Sequence, residues 1–197
     1  MHLYMHEFTN PKDVGIKEVR DLLFDNSLKD YQARTGKSIE KLEVSKTKHG
    51  KPHFASAVNM HFSISHSGRY WVCLFDDRNI GVDVEDYSTR NMTIKRFNDI
   101  SARFFLEDEQ EYVLGNCNVD DEDRPMDEGV KNRFFRIWTA KEAYMKYTGN
   151  GFSQGFKNFS VLDDSLKLYF KDVPVDPTVV LTFCSDRKTK LDELINL

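Results

Sequence analysis

The sequence predicts an α+β fold, because strand-like and helix-like segments segregate along the chain instead of alternating. Two stretches carry that prediction. Between Val58 and Glu85 three short apolar patterns, two of them strictly alternating, follow one another with polar turns between them. From Ile94 onward the spacing becomes helical, most clearly over residues 132–148. The 197 residues are 40% hydrophobic with 15 Phe, 10 Gly and 5 Pro, enough for a core without staples and unlike a disordered or low-complexity chain.

Residues 2–8 read as a short strand and Pro11 to Gly15 as a turn. Ile16, Val19, Leu22, Leu23 and Leu28 then mark an amphipathic helix to about Ala33. Leu42 and Val44 suggest a short strand, and residues 45–53 form a basic loop punctuated by Gly50 and Pro52. Val58, Met60, Phe62 and Ile64 alternate with Asn59, His61, Ser63 and Ser65, as on a half-buried strand. Tyr70 to Phe75 is apolar throughout, as a central strand is, and Asp76 to Asn79 has the length of a hairpin connection. Ile80, Val82 and Val84 point one way and Gly81, Asp83 and Glu85 the other, so the three strands are expected to form an antiparallel meander. Helices are expected at Ile94–Phe104, Asp108–Leu114 and 132–148, the last closed by Gly149-Asn150-Gly151. Phe159–Leu162, Leu166–Phe170 and Val179–Phe183 read as further strands.

Charge and composition exclude several classes. The net charge is −4, which argues against nucleic acid as a partner. Six acids and one base fall within residues 120–128, however, so the rest of the chain carries 27 bases against 26 acids and can accept an anionic ligand. No apolar run reaches the length of a membrane span, and the first residues lack the pattern of a secretion signal. Cys73, Cys117 and Cys184 are too scattered for a disulfide frame or a zinc site. A reduced, cytoplasmic protein without membrane or nucleic-acid partners is expected.

Three segments hold the candidate chemistry. Asp83 and Glu85, two apart on a strand, share a face with roughly 7 Å between them, a spacing suited to Mg²⁺, although such a pair on a wet face is commonly just solvated. On the helix through Trp138-Thr139-Ala140-Lys141-Glu142, Lys141 falls inside the apolar arc of Phe134, Ile137, Trp138 and Met145, while Glu142 and Lys146 lie on its flank. A Glu142–Lys146 surface pair accounts for those two but leaves Lys141 unexplained. Ser63-Ile64-Ser65-His66-Ser67-Gly68 at a strand end can offer donors to a phosphate, and Lys46, Lys48 and Lys51 add charge of the right sign; a polar turn and a solvated loop are the plainer readings.

Gly50-Lys51-Pro52, Phe62-Ser63-Ile64-Ser65-His66-Ser67-Gly68, Ile80-Gly81-Val82-Asp83-Val84-Glu85, Phe104-Phe105 with Glu109, and Trp138-Thr139-Ala140-Lys141-Glu142-Ala143 with Lys146 stand in this order. Together they resemble the 4′-phosphopantetheinyl transferase superfamily, in its larger, pseudo-dimeric, Sfp-type branch. The resemblance implies two similar halves, 1–86 and 87–197, each a long helix on a small antiparallel sheet. It implies transfer of the phosphopantetheine arm of coenzyme A to a serine of an acyl or peptidyl carrier protein, as in a holo-acyl-carrier-protein synthase, with Mg²⁺ as cofactor. By motif, Asp83, Glu85 and Glu142 would hold the metal. Lys48, Lys51, Pro52, Ser65, His66, Lys141 and Lys146 would contact coenzyme A, with Lys146 also stabilising the leaving phosphate. Glu109 would take the serine proton, and Trp138 would pack beneath the helix.

Three departures stand out against that pattern. The basic stretch that larger relatives carry before the first long helix has only Lys12, Lys17 and Arg20 as counterparts. Leu106 follows Phe105 where relatives often place a capping serine, and Gly149-Asn150-Gly151 lacks a lysine. The rival readings are a non-catalytic carrier-protein or coenzyme A binding module and an Mg²⁺-dependent pyrophosphate or phosphodiester hydrolase.

Overall fold

Side chains along β1 (His2–Glu7) go alternately to two cores, Leu3 and Met5 to one and Tyr4 to the other, so the sheet containing it is the partition between them. The computed structural model describes residues 1–37, 42–55, 59–115, 117, 121–151, 155–188 and 191–197. After β1 come α1 (Lys17–Thr35), β2 (Val44–Lys46), β3 (Pro52–Phe54), β4 (His61–Ser67), β5 (Tyr70–Asp76) and β6 (Ile80–Asp86). Then follow α2 (Ile94–Phe104), α3 (Glu107–Leu114), α4 (Glu128–Thr148), β7 (Tyr169–Asp172), β8 (Val179–Ser185) and β9 (Glu193–Asn196).

The strands form a four-stranded sheet in the order β4-β5-β1-β9, a three-stranded sheet β6-β8-β7, and the hairpin β2-β3. Neighbours are antiparallel except β1 and β9. Leu3, Met5, Val72 and Leu74 of the first sheet pack against Ile80, Val82, Leu181 and Phe183 of the second. The far side of the first sheet, with Tyr4, Trp71 and Phe75, is covered by Leu23 and Tyr31 of α1. The long helix α4 lies on the far side of the second sheet. The result is four layers, α1, sheet, sheet and α4, an α+β architecture as the segregated pattern predicts. No helix among the described residues is long and apolar enough to cross a membrane.

Capping explains where α4 begins and ends. The Asp127 carboxylate accepts the Val130 N–H at 2.9 Å, and Gly149 closes the helix at φ 70°. The acidic segment before it is tied down: the Glu122 and Arg124 carbonyls accept the Lys95 and Ile94 N–H groups at 2.8 and 3.1 Å, serving donors at the start of α2. Asp120 lies outside the described residues.

Several elements differ from the sequence reading. The meander is broken, because β6 leaves the sheet of β4 and β5 and pairs with β8, about a hundred residues later. Alternation alone does not choose a partner. The basic loop contains the hairpin β2-β3, which excludes Leu42 and starts its second strand at Pro52, where a missing N–H is tolerated. Phe159–Leu162 is not a strand; its backbone groups serve side chains instead, as described below. A 3₁₀ turn at Asp164–Leu166 delays β7 to Tyr169. The short strand β9 had no local signal, since its partner β1 stands at the other end of the sequence. Val58 lies outside the described residues.

One glycine sets the distance between β6 and α4. A Cβ at Gly81 would stand 2.0 Å from the Ala143 carbonyl oxygen and 2.6 Å from the Tyr147 nitrogen, both backbone. Gly81→Ala is therefore expected to destabilise the fold by about 1–3 kcal/mol or more, since neither element can yield locally. Chemical denaturation measures it; an unchanged midpoint would show that the contact is not tight.

Candidate active site

Gly81, Asp83 and Glu85 share the face of β6 turned to α4, which carries Glu142 and Lys146 one turn apart. The close approach at Gly81 brings these side chains together. Asp83 is 5% exposed, so the solvated reading of the Asp-x-Glu pair does not hold. Its Oδ1 accepts from Lys146 Nζ and from Ser65 Oγ, both at 2.6 Å, while its buried Oδ2 has no hydrogen-bond partner.

The edge strands of the two sheets, β4 and β6, are bridged by serine side chains instead of a backbone ladder. Ser63 Oγ accepts the Val82 N–H at 3.0 Å, and Ser65 binds Asp83. Ser67 Oγ accepts the Asp86 N–H at 3.2 Å and donates to Glu85 Oε2 at 2.7 Å. The three hydroxyls stand at i, i+2 and i+4 on one face; those of Ser63 and Ser67 satisfy edge-strand N–H groups that would otherwise be unpaired, and that of Ser65 donates to the Asp83 carboxylate. The serine face of β4 is thus buried, and Met60, Phe62 and Ile64 all face the core on the other side, as the alternation predicts.

Burial raises the Glu85 pKa, with the Asp83 charge adding to it, while hydrogen bonds from Ser67 and Trp138 and the Arg90 charge oppose the rise. Glu142 is pushed up to about 7, by burial first and then by Asp83 and Glu85, with Lys146 opposing. Three acids therefore repel one another across this face.

Beside them lies a cavity of about 250 Å³ lined by His49–Pro52 of the hairpin, Phe62–Ile64 of β4, Glu142, Met145 and Lys146 of α4, and Phe156. Lys51 is built into its wall. Its Nζ donates to Asn79 Oδ1 at 2.6 Å and to the Tyr147 carbonyl at 3.0 Å, near the C-terminus of α4 where a cation is favoured. Burial lowers the Lys51 pKa to about 8 from the ordinary 10.5. Because the unfolded chain then binds more protons than the native one between those values, stability is expected to rise with pH from about 8 to 10.5. Denaturation midpoints against pH check this, and Lys51→Met is expected to flatten the slope; equal slopes would contradict it.

The other residues singled out from sequence divide. Pro52 lines the cavity and Ser65 touches its carboxylate. Lys48 is exposed on the hairpin and His66 on β4, neither in the cavity wall. His66 is lowered below the ordinary histidine value by burial first and by Arg20 and Lys146 after it. Trp138 Nε1 donates to Glu85 Oε1 at 3.1 Å, and its ring stacks on Phe156 at 5.6 Å. Ser63 and Ser67, part of the segment offered as phosphate donors, instead brace β6 and Glu85, whereas His49, Arg90 and Phe156 carry no signal in the sequence for their places here.

Glu109 and Lys141 require a correction. Both side chains are 0% exposed and pair with each other at 2.8 Å. Lys141 Nζ also donates to the carbonyls of Phe156 and Phe159, each at 2.8 Å, and Glu109 accepts the N–H groups of Leu106 and Val161, each at 2.9 Å. Burial draws the Lys141 pKa down, while Glu109 pulls the other way. A carboxylate closed off from solvent, with both oxygens engaged, is not placed to take a proton from a substrate. This pair joins α3, α4 and the segment before β7, which explains both the lysine in the apolar arc and the missing strand at 159–162. Neither Glu109 nor Lys141 lines the cavity, although Lys141 holds the backbone of Phe156, which does.

The donor set on that face fits a hard divalent cation. Carboxylate oxygens are its preferred ligands, and Asp83 Oδ2 is an unpartnered buried acceptor. Among the described residues, however, no three such side chains stand ready-arranged as ligands. Lys146 engages Asp83, and Arg90 engages Glu85 at 2.5 Å.

Comparison with known proteins bears directly on these residues. The family model of the 4′-phosphopantetheinyl transferase superfamily matches residues 79–180, from the start of β6 into β8. The 4′-phosphopantetheinyl transferase Sfp of Bacillus subtilis (strain 168) is 30% identical over 156 residues, 73% of this chain and 63% of that protein. The 4′-phosphopantetheinyl transferase psf-1 of Bacillus pumilus is 32% identical over 140 residues, 70% of this chain and 53% of that protein. HetI of Nostoc sp. (strain PCC 7120), also named a 4′-phosphopantetheinyl transferase, is 34% identical over 94 residues, 47% of this chain and 34% of that protein. The chain spans about three fifths of the length of the Bacillus subtilis relatives it matches. With the model covering more than half of its residues, including Asp83, Glu85, Glu142 and Lys146, and with Sfp-type relatives along most of its length, the chain belongs to the 4′-phosphopantetheinyl transferase superfamily.

Proposed function

We propose that this protein transfers the 4′-phosphopantetheine arm of coenzyme A to a serine of an acyl or peptidyl carrier protein, with Mg²⁺ as cofactor, releasing adenosine 3′,5′-bisphosphate. The observation that carries the reading is the convergence of Asp83 on Glu142 and Lys146, which line the cavity together with Lys51. The activities named for the Bacillus relatives support it.

In this reading Asp83, Glu85 and Glu142 hold the cation. When bound, Mg²⁺ withdraws charge from the pyrophosphate oxygens and so lowers their repulsion of an incoming oxygen. The serine Oγ forms a bond to the phosphorus carrying pantetheine, and the bond from that phosphorus to the bridging oxygen breaks. The electron pair of that bond leaves with adenosine 3′,5′-bisphosphate. Lys146, held over the site by Asp83, neutralises charge on the departing oxygen. With Glu109 engaged by Lys141, Leu106 and Val161 and Glu142 committed to the cation, the proton of the serine leaves through water. His49 to Pro52 and Phe62 to Ile64 form the wall for the nucleotide portion, with Lys48, Ser65 and His66 toward its phosphates.

The division at 86/87 into two similar halves, forming one pseudo-dimeric unit, belongs to the same proposal. Its support is a reciprocal exchange: β6 ends the first half but joins the sheet of β7 and β8, while β9 ends the second and joins the sheet of β1.

Intact-mass measurement of apo-carriers incubated with coenzyme A tests the function. Added phosphopantetheine mass with Mg²⁺ and none with excess chelator is the expected result. Coenzyme A consumed without carrier would favour the hydrolase reading, and unmodified carriers with coenzyme A intact would overturn catalysis altogether.

A further inference from the structure

Glu85 has both carboxylate oxygens engaged by side chains of the protein. Oε1 accepts from Trp138 Nε1 at 3.1 Å, and Oε2 accepts from Ser67 Oγ at 2.7 Å and Arg90 Nη2 at 2.5 Å. Arg90 Nη2 also donates to Ser67 Oγ at 3.0 Å, and the same oxygen accepts the Asp86 N–H at 3.2 Å. With two donors already on its oxygen, the Ser67 hydroxyl proton is committed to Glu85. The turn that carries Ser67 is held against β6 as well: a Cβ at Gly68, where φ is 55°, would stand 2.3 Å from Asp86 Oδ2. The Arg90 guanidinium lies 5.4 Å from the Phe135 ring centroid, on the loop that follows β6.

We propose that Ser67 and Arg90 are the positioning residues of Glu85: Ser67 fixes the carboxylate permanently, whereas Arg90 is its counter-ion in the metal-free protein and is displaced when a divalent cation enters among Asp83, Glu85 and Glu142. This rests on the cation reading above and deepens it. Without a cation, acids crowded on one buried face need positive charge from the chain itself; Lys146 answers Asp83, and Arg90 answers Glu85. Arg90 is the partner to leave. Its side chain is 43% exposed against 28% for Lys146, so its release costs less rearrangement and returns a charge to water.

The test titrates Mn²⁺ alone, as a paramagnetic substitute for Mg²⁺, into chelator-stripped full-length protein, with free Mn²⁺ read by electron paramagnetic resonance. Arg90→Ala is expected to bind Mn²⁺ about five- to tenfold more tightly than wild type, because a competing ion pair is gone. Arg90→Lys is expected to return within about threefold of wild type. Lys131→Ala, which removes a charge resting 5.6 Å from the neighbouring Tyr87 ring but not from Glu85, is expected to leave affinity unchanged. Ser67→Ala is expected to weaken binding about fivefold and Ser67→Thr to restore it, the hydroxyl being the operative group. In chelator the Arg90→Ala protein is expected to melt lower than wild type, with Mn²⁺ closing the gap. Wild type binding Mn²⁺ while Arg90→Ala binds no tighter would overturn the displacement and leave the cation reading standing. Unchanged affinity in Ser67→Ala would overturn the role of Ser67. No Mn²⁺ bound by wild type would overturn the cation reading itself, and this proposal with it.

Discussion

Glu142→Ala is expected to lower phosphopantetheine transfer by about two to three orders of magnitude without lowering thermal stability. The two effects separate because Glu142 is held in the native structure at an energetic cost. Burial and the charges of Asp83 and Glu85 push its carboxyl up to about 7, so removing it relieves repulsion in the metal-free protein. Its loss takes away a cation ligand, which acts at the reacting phosphorus. The loss is therefore expected in kcat more than in KM for coenzyme A. Steady-state transfer and thermal melts in chelator check the pair of outcomes. Transfer within tenfold of wild type, or a melting point lowered by many degrees, would mean that Glu142 is a structural residue.

Lys141→Met is expected to do the opposite, costing about 3–5 kcal/mol of stability because Glu109 is left as an uncompensated buried charge. For a chain of this length that corresponds to a melting point lower by roughly 6–20 °C. The double variant Lys141→Met/Glu109→Gln is expected to recover part of the loss, since it removes both charges and keeps one acceptor oxygen for either Leu106 or Val161. Urea denaturation of the two singles and the double measures the coupling. Should Glu109→Gln instead abolish transfer while leaving the fold at wild-type stability, Glu109 would be catalytic and the burial argument wrong.

Lys141 and Glu142 show how far residue patterns reach. They are adjacent in sequence and belong to one motif, and helical spacing marks both as unusual charges on α4. Yet they face different partners: Lys141 is locked to Glu109 and to carbonyls of the segment before β7, and Glu142 looks into the cavity. A 100° step on a helix separates a buried strut from a site residue, and only the packing of α3 on one side and β6 on the other tells which is which. The serines of β4 make the same point. Their alternation with Phe62 and Ile64 was legible, but it reads as a wet face until β6 is seen to run alongside, edge to edge, with its N–H groups and carboxylates needing partners.

Sequence alone determined the class of fold, most helices and strands, the ordered motifs and the acids and lysine of the site, because hydrophobic period and helix-stop signals act between near neighbours. The pairing of β6 with β8 and β1 with β9, the burial of Glu109, and the engagement of Asp83 by Lys146 and of Glu85 by Arg90 were decided by tertiary structure. Strand partners and ion pairs join residues far apart in the chain, and which of them meet depends on how whole layers pack, an energy that no local pattern contains.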